Sequence, residues 1–367
     1  MSILTFAYLI GGFILLVFGA EVLVRGAARL AARFGISPLI IGLTVVAFGT
    51  SAPEMAVSTQ SAFMGQGDIA IGNVIGSNIF NVLMVLGLSA LIIPLVVSRQ
   101  LVRFDVPIMI AAGFLAWFLA LDGSYSRIDG LILFSGIVVY TGYLIISSLK
   151  AFKAGKTLAS DDEYTTDINP HRFASLINTA YLVIGLILLV TGSNLLVTGA
   201  VSLAQALGLS ELVIGLTIIA IGTSLPELAT SLIAAWKGER DIAVGNIVGS
   251  NLFTLLAVLG LAGLVSPENI AVARSAIEFD FPVMMAVMVA CLPVFFAGYS
   301  INRWEGALFL GYYVAYTAYL IMQSNGEPFA NTFADAMFGY VVPLTAITLF
   351  VIAARAWRIQ RGLSVDH

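Results

Sequence analysis

Two segments of the chain are copies of each other, 173 residues apart. Residues 42–88 align with residues 215–261 without a gap, and 27 of the 47 aligned positions are identical. Identity at this level indicates an internal duplication, which the fold must accommodate as two equivalent units. The similarity continues outside the aligned segments, since Phe104-Asp105 recurs as Phe279-Asp280.

The composition places both units in a membrane. Hydrophobic residues make up 59% of the 367 residues and charged residues only 10%, whereas soluble domains are about 25% charged. We therefore expect an all-α polytopic membrane protein surrounded by the lipid bilayer. The net charge of −4 provides no basic surface for nucleic acid. One cysteine, Cys291, and two histidines, His171 and His367, argue against disulfides and against iron–sulfur, zinc or haem sites. We expect no resident cofactor.

The apolar runs predict eleven membrane-spanning helices, because about 20 apolar residues are needed to cross the hydrocarbon core. They are 3–24, 38–63, 69–97, 105–121, 128–149, 176–198, 211–235, 242–265, 279–298, 304–322 and 336–354. Lysine and arginine near the ends of spans stay on the cytoplasmic side. Fifteen of the 17 basic residues fall on one side and only Arg127 and Arg274 on the other. This distribution predicts an outside N-terminus and a cytoplasmic C-terminus.

The span count determines how the two units relate. We predict a first five-helix repeat at 1–150 (copied segment 42–88), a cytoplasmic linker at 151–175 and a second repeat at 176–323 (copied segment 215–261). The remaining residues, 324–367, form one extra helix and a tail. Because five is odd, the second repeat enters the membrane upside down relative to the first. Ten core helices in two inverted repeats are an architecture of secondary transporters, with the site near the bilayer midplane.

Two glutamates, Glu54 and Glu227, lie at equivalent positions deep in apolar spans. A charged carboxylate at the bilayer centre costs about 2.5–3.5 kcal/mol on insertion scales, so such residues are usually functional or paired. The alternative is an intramembrane ion pair, but no lysine or arginine falls in the middle of a predicted span. We therefore expect a transported cation to supply the counter-charge.

The residues before each glutamate favour cation binding. Proline at 53 and at 226 frees a helix carbonyl four residues earlier, at Gly49 and Gly222, and breaks the helix. Thr50 and Thr223 lie four residues before the glutamates and share their helix face. Such an all-oxygen set suits hard cations, since Ca²⁺ takes about 6–8 oxygens. Hydrogen bonding of the hydroxyls to their own helix is the alternative.

The following spans carry a second polar pair. Ser77 and Asn81 are four residues apart, Ser250 and Thr254 are their counterparts, and we expect all four to complete the ligand shell. Asn78 and Asn251 could be ligands or interhelical hydrogen-bond partners, and the second role is favoured. The remaining acids are expected to have structural roles: helix N-caps at Asp68, Asp241, Asp105 and Asp280, and a pair of Glu21 with Arg25.

With these motifs the chain resembles the calcium/cation antiporter superfamily and, within it, the sodium/calcium exchanger family of prokaryotic type. The motifs are G-T-S-A-P-E at 49–54 with G-S-N-I-F-N at 76–81, and G-T-S-L-P-E at 222–227 with G-S-N-L-F-T at 249–254. The resemblance implies two inverted five-helix repeats, with long helices at 3–24 and 176–198 that slide to alternate access. It also implies that Ca²⁺ and Na⁺ bind at Thr50, Ser51, Glu54, Ser77, Asn81, Thr223, Ser224, Glu227, Ser250 and position 254.

One departure from the family affects the coupling. Many sodium/calcium exchangers carry an aspartate at the position of Thr254, and that would make three site carboxylates. Two carboxylates match the charge of one Ca²⁺, two Na⁺ or two H⁺. Electroneutral exchange is therefore a hypothesis, and coupling to H⁺ or dependence on K⁺ stays open. Protons are expected to compete with the cation at mildly acid pH.

Other features leave alternatives open. A linker of about 25 residues is too short for a regulatory domain, and this favours a prokaryotic inner membrane. A cation channel would need a continuous pore, whereas the repeats build a central site for which one monomer is sufficient. An intramembrane protease is suggested only by Gly65-Gln66-Gly67-Asp68, whose second copy, residues 238–241, lacks the pattern. The sequence does not fix the oligomeric state or the direction of transport.

Overall fold

The structure, a computed structural model, describes residues 3–34, 36–153, 174–206, 220–324 and 329–362. Most of the predicted linker, the two histidines, residues 211–219 of the seventh predicted span and the end of the tail lie outside the described residues. The described chain is built almost entirely of helices.

The helices of the two halves correspond one to one. The first half contains α1 (Ile3–Phe34), α2 (Pro38–Thr50), α3 (Ala52–Phe63), α4 (Gly67–Ile92), α5 (Leu101–Ala120) and α6 (Arg127–Lys153). The second half contains α7 (Ala174–Ala206), α8 (Ala220–Thr223), α9 (Leu225–Trp236), α10 (Arg240–Val265), α11 (Ala276–Phe296) and α12 (Arg303–Ser324). Helices α9 and α10 begin and end 173 residues after α3 and α4.

A further helical stretch, α13, follows both halves in the segments Phe329–Ala336, Met337–Val341 and Val342–Gly362. The hydroxyl of Tyr312 in α12 donates to the hydroxyl of Thr345 in α13 at 2.5 Å. The extra helix therefore packs on the outside of the second half.

Nine of the eleven predicted spans appear as apolar spans. Among the described residues, eight helices are long and apolar enough to cross a membrane, or nine spans if the bent pair α2–α3 counts as one. The run at 304–322 forms α12, whose 22 residues reach about 33 Å but carry polar groups at the start. The run at 211–235 is described only from residue 220, in α8 and α9.

Two short sheets show that the halves are inverted. Strand β1 (Leu95–Val96) precedes α5, β2 (Ser124–Tyr125) follows it, β3 (Ile270–Ala271) precedes α11 and β4 (Ser300–Ile301) follows it. Antiparallel pairing joins β1 to β4 and β2 to β3. The start of α5 therefore lies at the same face of the membrane as the end of α11, so equivalent helices run in opposite directions. The parity prediction is confirmed.

The longest helices, α1 and α7, pack antiparallel along a seam of glycines. The seam consists of three glycines seven residues apart on each helix: Gly12, Gly19, Gly26, Gly185, Gly192 and Gly199. A methyl group added at Gly12 would lie 2.6 Å from the backbone nitrogen of Leu196, and one at Gly185 would lie 2.7 Å from that of Leu23. Only glycine allows the two backbones to approach this closely.

Two of the predicted N-caps are wrong. The residues that precede α4 and α10 are Gln66 and Glu239, so Asp68 and Asp241 lie inside the first helical turn. A negative charge there is still favourable, because the first turn of a helix carries a partial positive charge. Asp68 is exposed, which does not fit the buried aspartate of an intramembrane protease.

Asp105 and Asp280 also have another role than capping. Asp105 is fully buried and accepts hydrogen bonds from the hydroxyl of Tyr140 at 2.9 Å and from the amide of Gln100 at 3.4 Å. Asp280 accepts the hydroxyl of Tyr316 at 3.2 Å. The duplicated Phe-Asp dipeptide thus joins α5 to α6 and α11 to α12.

The glycine seam provides a test of this packing. We expect Gly12→Ala to lower the stability by about 1–3 kcal/mol, because the added methyl collides with the backbone of α7. The neighbouring Gly11, with nothing within 4 Å of an added methyl, provides the matched control. Gly11→Ala should leave the thermal unfolding temperature in detergent unchanged or raise it, since alanine favours helix. Equal unfolding temperatures for the two variants would contradict the seam.

Candidate functional site

The candidate site begins where two helices break. Helices α2 and α3 meet at Ser51 with a bend of 47°, and Pro53 lies in the first turn of α3. In the second half α8 ends and α9 begins around Ser224, with Pro226 in the same place. The breaks predicted from the prolines are present in both halves.

The glycines before the breaks contact α7. A side chain at Gly49 would collide with Leu186, and one at Gly222 would collide with Val197. The carbonyl of Gly222 accepts the hydroxyl of Ser193 in α7 at 2.5 Å. Because Pro226 has no N–H to donate to it, this carbonyl is not bonded at the usual position of its own helix, as predicted. It is bonded instead by Ser193 of α7.

Each motif glutamate begins a helix and is held by the opposite half. Glu54 lies in the first turn of α3 and is 1% exposed, and Glu227 lies in the first turn of α9 and is 0% exposed. Ser51 donates to Glu227 Oε1 at 3.0 Å, and Ser224 donates to Glu54 Oε1 at 2.8 Å. The two serine bonds cross between the halves and bring both carboxylates to one centre.

The second oxygen of each carboxylate, Oε2, is buried and has no hydrogen-bond partner among the described residues. The ion pairs found between described residues do not involve Glu54 or Glu227. Burying acceptor atoms without donors is costly. The arrangement therefore presents two carboxylate oxygens that a cation would satisfy.

Further hydroxyls of the predicted set surround the carboxylates. Ser77 in α4 accepts from Ser224 at 3.2 Å, and Ser250 in α10 donates to Glu227 Oε1 at 3.5 Å. The hydroxyl of Thr50 lies 3.5 Å from that of Ser250. The structure thus joins Ser77, Ser250 and Thr50 to the carboxylates in one polar cluster.

The predicted ligands Asn81 and Thr254 lie one helical turn further along α4 and α10, in or at the start of π-helical segments. Asn81 donates to Asn251 at 3.2 Å, and its own buried Oδ1 has no hydrogen-bond partner among the described residues. Thr254 donates to the carbonyl of Ser250 at 2.8 Å and accepts from Asn78 at 2.8 Å. Thr254 thus bonds to its own helix, and the helix-bonded alternative raised for the motif threonines is seen at Thr50, which donates to the carbonyl of Ala47 at 3.3 Å. Asn78 and Asn251 make interhelical hydrogen bonds, the role that was favoured.

The motif threonines bind residues that sequence reasoning missed. Thr50 donates to Asn246 Oδ1 at 3.2 Å, and Thr223, which is half-buried, donates to Asn73 Oδ1 at 3.2 Å. Both asparagines are identical in the two copies and lie inside apolar spans. That signal could have identified them.

Other charged groups lie apart from this cluster. Glu21 accepts from Arg25 at 2.9 Å, as predicted, and also from Lys237 at 2.8 Å. Among the described residues no group of three or more histidines, cysteines or acids could hold a metal ion. The candidate site is thus one of two carboxylates and several neutral oxygens.

Comparisons with known proteins agree with the fold and the motifs. The model of the sodium/calcium exchanger protein family matches residues 4–148 and 177–322. The putative antiporter CaxA of Alkalimonas amylolytica is 41% identical over 86% of this chain and 98% of its own. The sodium/calcium exchanger MaX1 of Methanosarcina acetivorans is 32% identical over 87% of this chain and 99% of its own.

A solved structure of the sodium-calcium exchanger NCX_Mj superimposes with a TM-score of 0.74 at 33% identity, covering 87% of this chain and all of that one. This similarity extends to both halves, and the family model covers most of the residues. The chain therefore belongs to the sodium/calcium exchanger family, and it is an integral membrane cation antiporter rather than an enzyme.

Proposed function

We propose that this protein exchanges Ca²⁺ for Na⁺ across the membrane at a midplane site centred on Glu54 and Glu227. The observation that supports this most is the pair of fully buried carboxylates, each bonded by a serine of the other half and each with an unpartnered Oε2. A bound cation would balance the charge of the carboxylates and coordinate their unpartnered oxygens.

The oxygens around the carboxylates suit Ca²⁺, which takes about 6–8 oxygen ligands. In this proposal the hydroxyls of Thr50, Ser51, Thr223, Ser224, Ser77 and Ser250, with the amide oxygen of Asn81 and the carbonyls of Gly49 and Gly222, supply the neutral ligands. The hydroxyl of Thr254, which bonds to its own helix and to Asn78, has the smallest part.

Alternating access follows from the inverted halves. Residues 1–150 and 176–323 form the two repeats, and each reaches the site from the opposite face of the membrane. The broken helices meet α7 at Gly49 and Gly222, which leave room for the side chains of Leu186 and Val197. Helices α1 and α7, packed along their glycine seam, slide against this core, and α13 remains an accessory helix.

The membrane is the inner membrane of a prokaryote, with the N-terminus outside and the C-terminus in the cytoplasm. Fifteen of 17 basic residues support this orientation. One monomer contains the whole site.

The site carboxylates can be tested by removing their charge. Glu54→Gln and Glu227→Gln should each abolish Ca²⁺ uptake driven by a Na⁺ gradient in proteoliposomes, because one carboxylate cannot balance a divalent ion. Glu278→Gln is the matched control, since Glu278 is exposed and pairs with Arg274 at 2.6 Å. Ca²⁺ exchange retained by both site variants would contradict the assignment.

The coupling can be tested at position 254. With two carboxylates, exchange of one Ca²⁺ for two Na⁺ moves no net charge, so an imposed membrane potential should not change the wild-type flux. Thr254→Asp adds a third carboxylate and should make exchange voltage-dependent, whereas the uncharged Thr254→Asn should not. Measurements under separate Na⁺, K⁺ and H⁺ gradients identify the driving ion. Voltage-dependent wild-type exchange with three Na⁺ per Ca²⁺ would contradict electroneutrality.

A further inference from the structure

A chain of hydrogen bonds runs through the first half and ends on the motif threonine of the second. The hydroxyl of Ser58 in α3 donates to the carbonyl of Ala70 at 3.3 Å. The amide nitrogen of Asn73 in α4 donates to the hydroxyl oxygen of Ser58 at 2.9 Å. The amide oxygen of Asn73 accepts the hydroxyl of Thr223 at 3.2 Å.

The equivalent chain runs through the second half and ends on the first. Ser231 in α9 donates to the carbonyl of Ala243 at 3.5 Å, and Asn246 in α10 donates to Ser231 at 3.0 Å. Thr50 donates to Asn246 Oδ1 at 3.2 Å. Ser58, Ser231, Asn246 and Thr50 are all fully buried.

The chemistry of the groups fixes the direction of every bond in these chains. A carbonyl can only accept, so each serine gives its one proton to the alanine carbonyl and must accept from the asparagine. The atom that faces the serine is therefore the amide nitrogen, and the atom that faces the threonine is the amide oxygen. Because an amide oxygen also only accepts, the threonine is the donor in its bond to the asparagine. The second acceptor of Thr50, the carbonyl of Ala47 at 3.3 Å, enforces the same polarity.

We infer that Asn73 and Asn246 are positioning residues that make Thr223 and Thr50 present only oxygen lone pairs to the transported cation. A hydroxyl that could rotate would also turn its hydrogen toward the ion, and a positive charge repels that hydrogen. The inference rests on the proposed function and deepens it. Asn73 also donates to the backbone carbonyl of Glu54 at 3.3 Å, but within the described part of the chain neither asparagine bonds to a carboxylate oxygen, so in this inference each acts on the ion through its threonine.

A double-mutant cycle of Thr50→Val and Asn246→Leu tests this role. Each single variant should raise the KM for Ca²⁺ roughly tenfold, the scale of one lost hydrogen-bonded ligand, with kcat changed far less. The double variant should be no worse than Thr50→Val alone, because the asparagine has no effect without the hydroxyl it orients.

Thr44→Val provides the matched control cycle. Thr44 is a buried threonine of α2 whose hydroxyl bonds to the carbonyl of Ile40 at 2.6 Å, outside the chains. Its effect should add to that of Asn246→Leu. If the asparagine had only a structural role, the fold-increases in KM of Thr50→Val and Asn246→Leu would multiply in the double variant. That result would overturn the inference.

The second chain keeps the test decisive if Asn246→Leu does not fold. The half-buried Asn73 tolerates replacement more easily, and Asn73→Leu with Thr223→Val should show the same non-additivity. Wild-type protein without Ca²⁺ exchange would refute the proposed function together with this inference. Wild-type exchange that Glu54→Gln abolishes, with additive cycles in both halves, would refute the inference alone.

Discussion

Two carboxylates buried at the centre of a membrane protein impose the main constraint on this structure. Each must be surrounded by groups that favour its negative charge, and neither Glu54 nor Glu227 has a cationic side chain beside it among the described residues. The helix breaks stabilise the carboxylate charges in part, because each glutamate lies in the first turn of a helix, where backbone N–H groups and the helix dipole favour negative charge. A serine hydroxyl from the opposite half also stabilises each carboxylate, and these crossed bonds make the two halves interdependent.

Because these bonds cross between the halves, both copies of the duplicated motif are needed to build the polar cluster around the glutamates. Ser51 and Thr50 of the first half donate to Glu227 and Asn246 of the second. In the same way, Ser224 and Thr223 of the second half donate to Glu54 and Asn73 of the first. The motif serines and threonines of each half thus find acceptors in the other half. Hydrogen bonds therefore join the broken helices to each other and to α4 and α10, whereas α1 and α7 meet each other along the glycine seam.

Much of this could be predicted from the sequence, because duplication and apolar periodicity are strong signals. The inverted repeats, the breaks at Pro53 and Pro226 and most of the cluster around the glutamates follow from residue types and spacing, whereas Ser51 and Ser224 were expected only from the family resemblance. The N-caps at Asp105 and Asp280 were wrong because the partners, Tyr140 and Tyr316, come from other helices. Asn73 and Asn246 were missed although their duplication inside apolar spans marks them as candidates; their partners, which come from the opposite half and from neighbouring helices, are visible only in the structure.

The two halves are not fully equivalent, and the differences lie around the breaks and on the two long helices α1 and α7. Ser193 binds the carbonyl of Gly222, but the equivalent residue in the first half is Ala20, which has no hydroxyl. Glu21 binds Lys237, but its counterpart is the uncharged Asn194. Identical halves would make the inward-facing and outward-facing states equal in free energy. In the proposed alternating-access cycle, bonds present in one half only would favour one of these two states, while the duplicated core preserves the proposed site.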